Sequence, residues 1–329
     1  MIKYFIKNPV FYFLLVILII PVKSNAQGLF FSTRVKTEYQ YTDYLEYKYP
    51  DPIYFEYPDV QYTQLSPYIS DFPEHRFLVR VIQNFDYRTA LTLRYQYSDL
   101  DIGSRQNMYG MIFNRNLTDE FGITVGSQFT DVKGELSGWS YDLGCRYNFA
   151  GFTMINPSFS YYNNKDISSE GNKSSAYSFS MLIRQTLNEV TALQLKYLYF
   201  HSKGDISTFD SNTLVLWFSR YFYTETALHL SLRYHWNSED IKSYAPGLEI
   251  VQYLNWASTL RLMYRYYRNG SGFENSTAAE TDSFTSHSIS AVIEYLVKKN
   301  LTLSAKYRFY TSNSDIKMNT YLLGLERLF

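Results

Sequence analysis

From residue 91 onward, apolar and polar residues alternate with period two. Leu91, Leu93, Tyr95 and Tyr97 fall on one face, and Thr92, Arg94 and Gln96 on the other. The form recurs. Leu193, Leu195, Tyr197 and Tyr199 oppose Gln194 and Lys196. Leu228, Leu230, Leu232, Tyr234 and Trp236 oppose His229, Ser231, Arg233 and His235. Leu260, Leu262, Tyr264 and Tyr266 oppose Arg261, Met263 and Arg265; Leu301, Leu303, Ala305, Tyr307 and Phe309 oppose Thr302, Ser304, Lys306 and Arg308. Period two is the signature of a strand with one face in an apolar medium and the other in a polar one.

Between these repeats the pattern predicts partner strands near 75–85, 104–116, 138–149, 174–187, 209–222, 244–255, 283–297 and 318–329. Residues 121–129 and 153–162 extend the first set, and residues 30–44 supply a first strand. That first strand is required by parity: a segment at 75–85 can run one way across a layer only if something before it ran the other way. The predicted total is about sixteen strands, within roughly 14–18. Very short connections, around Asp86, Leu117, Ala150, Asn188, Phe222, Asn255 and Lys298, alternate with longer polar ones: 45–74, 99–103, 131–137, 163–174, 202–208, 237–243, 269–282 and 311–317. Within each repeat leucine precedes tyrosine, and a polar loop follows. An apolar band ending in an aromatic girdle has that order.

Composition decides which apolar medium this is. The chain carries 34 Tyr and 24 Phe but a single Cys, Cys145, which cannot form an intramolecular disulfide. An exported, Tyr-rich chain without disulfides and without membrane helices predicts an all-β, transmembrane, antiparallel up-and-down barrel in the outer membrane of a Gram-negative bacterium. The N-terminus agrees with export. Lys3 and Lys7 precede an apolar run from Val10 to Ile20, and Pro21 and the Ser24-Asn25-Ala26 segment follow. This is the pattern of a cleavable signal peptide over residues 1–26, cut after Ala26 or Gln27, and the run is short of the ~20 residues of a spanning helix. The barrel is then assigned to 27–329.

Without Lys3, Lys7 and Lys23 the chain has 28 basic and 31 acidic residues, and no basic tract, which excludes nucleic acid as a partner. No CxxCH, CxxC or Gly-rich phosphate loop is present, and neither a cofactor nor a metal is expected. His229 and His235 share a face but stand six residues apart, about 20 Å along a strand, too far for one metal ion. His287-Ser288 and His201-Ser202 are adjacent and therefore face opposite ways, so neither pair works as a catalytic dyad, and no enzyme is expected.

Alternation assigns Arg76, Arg80, Arg94, Arg146, Arg184, Lys196, Arg233, Arg261, Arg265, Lys306 and Arg308 to the polar face. The acids there are fewer: Asp142, Glu249, Glu294 and Glu326. If these residues line a pore, the excess favours anionic solutes. Equally, they pair with one another or with loop acids and fill the interior. Residues 44–62, YLEYKYPDPIYFEYPDVQY, fall in the longest loop, which either narrows a pore, offers an aromatic platform or packs on the rim.

The segment Thr320–Phe329 places Tyr321, Leu323, Leu325 and Phe329 on one face. It resembles the C-terminal signal read by the outer-membrane assembly machinery, with Arg327 departing from the pattern as a snorkelling residue. The strand ends YQYSD, YHWNSED, YRYYRNG and KYRFYTSN resemble those of porin-like barrels of unassigned function and, more loosely, of barrels that sheathe multihaem cytochromes. The first resemblance implies a channel for passive transport of small solutes. The second implies a non-conducting barrel holding a cytochrome or surface lipoprotein. Outer-membrane lipid and lipopolysaccharide, the assembly machinery, a partner protein or further copies of the chain are the expected associations.

Overall fold

The computed structural model describes residues 32–46, 74–100, 104–132, 136–149, 152–166, 173–203, 208–238, 242–269, 285–313 and 317–329. The proposed signal peptide and most of the 45–74 loop lie outside the described residues.

Sixteen strands form one closed antiparallel barrel. In chain order they are β1 (Ser32–Glu46), β2 (Glu74–Asn84), β3 (Thr89–Leu100), β4 (Ser104–Asn116), β5 (Phe121–Val132), β6 (Leu136–Phe149), β7 (Thr153–Asp166) and β8 (Lys173–Asn188). Then follow β9 (Thr191–Lys203), β10 (Thr208–Phe222), β11 (Thr226–Asn237), β12 (Lys242–Asn255), β13 (Ser258–Asn269), β14 (Thr285–Lys298), β15 (Leu301–Ser312) and β16 (Lys317–Leu328). Each strand pairs with its chain neighbours, and β1 pairs with β16 from Arg34 opposite Leu328 to Glu46 opposite Lys317. Closure leaves no edge strand, the condition for a sheet whose outer face meets hydrocarbon. The shortest strand has 11 residues and the longest 16. A tilted spanning strand needs about 9–11, so many strands rise past the membrane.

The two faces separate by register. Outward-facing Leu93 lies opposite Val81 and Met111, and Tyr95 opposite Val79 and Tyr109. Inward-facing Arg94 lies opposite Arg80 and Gly110. One inner row runs from Lys306 through Leu322, Gln40 and Arg76 to Ser98 across five strands. The alternation is weakest where small or apolar residues occupy the inner face. On β10 these are Val215 and Trp217, and on β12 Ala245, Gly247 and Val251.

The longer connections define the outer end, and Thr33 and Phe329 pair at the other, periplasmic end. The length asymmetry is smaller than the sequence predicts, because strands extend into the predicted loops. Residues 101–103 and 133–135 are all that remain between β3 and β4 and between β5 and β6. Side chains close several periplasmic turns. Asp86 Oδ1 accepts from the Arg88 backbone N–H at 2.6 Å, and that bond holds its carboxyl below the usual carboxylate range. Asn188 and Asn255 accept from the N–H groups of Val190 and Ala257, and Thr118 from that of Phe121.

At the outer end, outward-facing tyrosines form a hydrogen-bonded girdle. Tyr95, Tyr197 and Tyr307 donate to Asn107, Asn212 and Asn319 at 3.0, 2.7 and 2.7 Å. Tyr97 and Tyr199 donate to Asp99 and Asp210. Tyr39 and Tyr264 lie 2.7 and 2.8 Å from Nδ1 of His75 and His287. A phenol at a membrane interface buries its ring and needs a partner for its hydroxyl. Here the neighbouring strand supplies it, except for Tyr97, whose partner Asp99 lies on the same strand.

Candidate functional site

The inner wall gathers the charged residues of the barrel. Register places Arg94, Arg146, Arg184, Lys196, Arg233, Arg261, Arg265, Lys306, Arg308, Glu294 and Glu326 on that face, on β3, β6, β8, β9, β11, β13, β15, β14 and β16. They are not evenly spread. Arg261 and Arg265 on β13 and Lys306 and Arg308 on β15 flank β14, whose inner face offers Ser288, Ser290 and Val292 between them, with Glu294 next along the strand. Arg265 lies opposite Ser288, Arg308 opposite Ser290, and both Arg261 and Lys306 opposite Val292. Small residues on the middle strand leave room for long side chains from both sides, so this sector concentrates four positive charges.

The acids answer part of that charge. Glu249 Oε1 lies 3.3 Å from Arg261, and Glu326 Oε1 3.3 Å from Arg34. Lys36 pairs with Glu38 at 2.7 Å. Arg34, Lys36 and Glu38 are inner-wall residues that the sequence reading missed. Their signal was available: they hold the parity opposite to Tyr39 and Tyr41, but the alternation of β1 is carried by threonine and tyrosine, not leucine. Elsewhere the guanidinium groups rest on amides. Arg94 donates to Gln96 Oε1 and Arg146 to Asn116 Oδ1, each at 3.0 Å.

The opposite sector, β5–β8, is thin and polar. Gly126 and Gly144 flank the Asp142 position on neighbouring strands and on its own, and Ser160 donates to Asp142 Oδ1. Ser158 and Ser180 share a hydrogen bond of 2.7 Å. Toward the outer end the inner wall becomes a buried layer. Thr42, Ser98, Ser160, Ser178, Ser286 and Thr320 are at most 4% exposed.

The lumen-facing histidines find partners across strands. Ser219 Oγ and His229 Nδ1 lie 2.8 Å apart, and Glu249 stands opposite His229 on the far side. His235 Nδ1 is 2.9 Å from Thr213. The Ser219–His229–Glu249 row has the residue types of a nucleophile relay, but it lies on three continuously paired strands. Their backbone N–H groups serve the ladder, so no pair of amides converges on an oxyanion beside Ser219. The arrangement suits a polar wall better than acyl transfer.

The predicted assembly segment lies in β16 and just beyond. Tyr321, Leu323 and Leu325 face outward, opposite Tyr307, Ala305 and Leu303 of β15. Phe329 continues the pairing with β1: its N–H donates to the Thr33 carbonyl at 2.8 Å. The Arg327 guanidinium sits 4.5 Å from the centre of the Phe329 ring, so its charge is stacked at the barrel end.

No protein-family model matches the chain, and no curated protein matches it. Solved structures do. A bacterial polysaccharide outer membrane secretin matches with a TM-score of 0.57 and 11% identity, over 90% of this chain and 97% of that one. CdiB from Acinetobacter baumannii matches with a TM-score of 0.61 and 11% identity, over 90% of this chain and 60% of that one. OccK5 (OpdH) of Pseudomonas aeruginosa matches with a TM-score of 0.53 and 11% identity, over 91% of this chain and 98% of that one. With its apolar exterior, closed sheet and charged interior, the chain has the fold of the bacterial outer-membrane β-barrels and is built to reside in that membrane.

Proposed function

We propose that the protein is a porin-like outer-membrane channel that passes small anionic solutes by diffusion. The observation that carries the reading is the inner wall of a sixteen-strand barrel, where Arg261, Arg265, Lys306 and Arg308 concentrate positive charge across from a sector rich in serine and glycine. A barrel of this strand number is wide enough for water, and fixed cations on its wall raise the local concentration of anions. Likeness to a polysaccharide outer membrane secretin supports a transport role, since that protein shares the architecture over nearly its whole length.

The buried layer at the outer end favours a second reading, a non-conducting barrel that holds or anchors a partner protein. Swelling of liposomes containing the full-length mature barrel separates the two. In the channel reading gluconate enters several-fold faster than a neutral sugar of the same size. Liposomes that swell in neither solute overturn it.

A further inference from the structure

The outward face carries a second charged feature, at the outer end of β11–β14. Lys242, Arg268 and His287 are exposed there. Lys242 lies opposite Trp236, Arg268 opposite Tyr244 and Thr285, and His287 opposite Tyr266. Lys242 and Arg268 are one strand and two residues apart, as are Arg268 and His287. Each step is roughly 8 Å along the sheet. The three groups therefore form a short diagonal along the outer margin of the aromatic girdle.

The girdle here consists of two aromatic groups. Tyr234 and Trp236 have ring centres 5.5 Å apart, Tyr244 and Tyr266 6.1 Å, and Tyr266 and His287 5.2 Å. When the Tyr264 hydroxyl donates to His287 Nδ1, 2.8 Å away, Nε2 carries the ring proton and is the donor left for a ligand.

Elsewhere on the outer rim some of the cationic groups are paired. Arg105 is answered by Asp99 at 3.8 Å, and His201 by Asp210 at 2.8 Å. Among the described residues, neither Lys242 nor Arg268 is in an ion pair, and no acid faces outward on the outer half of β11–β14. An ammonium and a guanidinium at the outer margin of an aromatic belt stand at the depth of lipid headgroup phosphates. The guanidinium binds a phosphate through two parallel N–H bonds and the ammonium as a point charge.

We infer that Lys242, Arg268 and His287 form a binding site for the phosphate groups of an outer-leaflet glycolipid, whose acyl chains lie along Leu230, Leu232, Leu248 and Leu262 below. The site is independent of whether the lumen conducts.

Native mass spectrometry of the full-length mature barrel in detergent tests it, with added bisphosphorylated lipid A and its dephosphorylated form as probes. The wild type should retain the bisphosphorylated lipid at least tenfold better than the dephosphorylated one. The K242A/R268A variant should lose that preference, whereas R88A, in a periplasmic turn, should keep it. Heat-modifiable migration on gels checks that each variant is folded. Equal retention of both lipids by the wild type, or an unchanged preference in a folded K242A/R268A variant, would overturn the site. A preference retained only for a soluble acidic protein would assign the patch to a protein partner instead.

Discussion

At the scale of single residues, the barrel is held by pairs that join neighbouring strands. Tyr197 illustrates them. Its ring faces the membrane, and its hydroxyl reaches Asn212 on the next strand at 2.7 Å. Water is scarce at that depth, so an unmet hydroxyl or amide costs more than the bond itself contributes. Removing the second partner should therefore cost less than removing the first. Asn212→Ala and Tyr197→Phe should each lower unfolding free energy by about 1 kcal/mol, and the double variant by less than their sum. A double-mutant cycle from urea titrations in lipid vesicles measures this, and strict additivity would show that the bond contributes nothing. These partners were not legible in the sequence. Alternation gives the face of Tyr197, but Asn212 becomes its neighbour only through the β9–β10 register.

At the scale of elements, strands and tight turns were legible, for a physical reason. Leu-x-Leu-x-Tyr repeats and Asx turns are local signals. β4 was expected at 104–116 and is found at Ser104–Asn116. Strand extension at the outer end was less legible. There, above the membrane, residues such as Ser202, Asn163 and Asn164 pair without apolar alternation. One turn departs from the local rules. Glu225, between β10 and β11, has φ of 57°, a left-handed conformation that costs a residue with a Cβ roughly 1–2 kcal/mol. Its side chain is exposed. Glu225→Gly should raise unfolding free energy by about 0.5–1 kcal/mol, since relief of strain is partly offset by the freedom glycine gains in the unfolded chain. Urea unfolding of the folded barrel tests the sign, and a loss of stability would mean that the Glu225 side chain serves a role beyond the turn.

At the scale of the whole molecule, parity predicted what no local pattern on β1 announces. A strand at 30–44 was needed for an even count, and β1 is the strand that closes the barrel against β16. The candidate site was legible in part. Period two assigned charged residues to one face, but their clustering across β13 and β15 depends on the small residues of β14 between them. The buried outer layer of the wall was not legible, because serine and threonine read as polar wherever they stand. Glycines opposite Asp142 and Arg94 likewise gain meaning only from closure.

In the proposed channel this wall encloses a conducting path with an anion preference set by β13 and β15. Single-channel recording of the mature barrel in a planar bilayer under a salt gradient tests it most directly, with the R261Q/R265Q/K306Q/R308Q variant alongside. Stable openings are expected in both, with a reversal potential of anion-preferring sign in the wild type that moves toward zero or changes sign in the variant. A correctly folded wild-type barrel that never opens, or a reversal potential unchanged by the four substitutions, would contradict it.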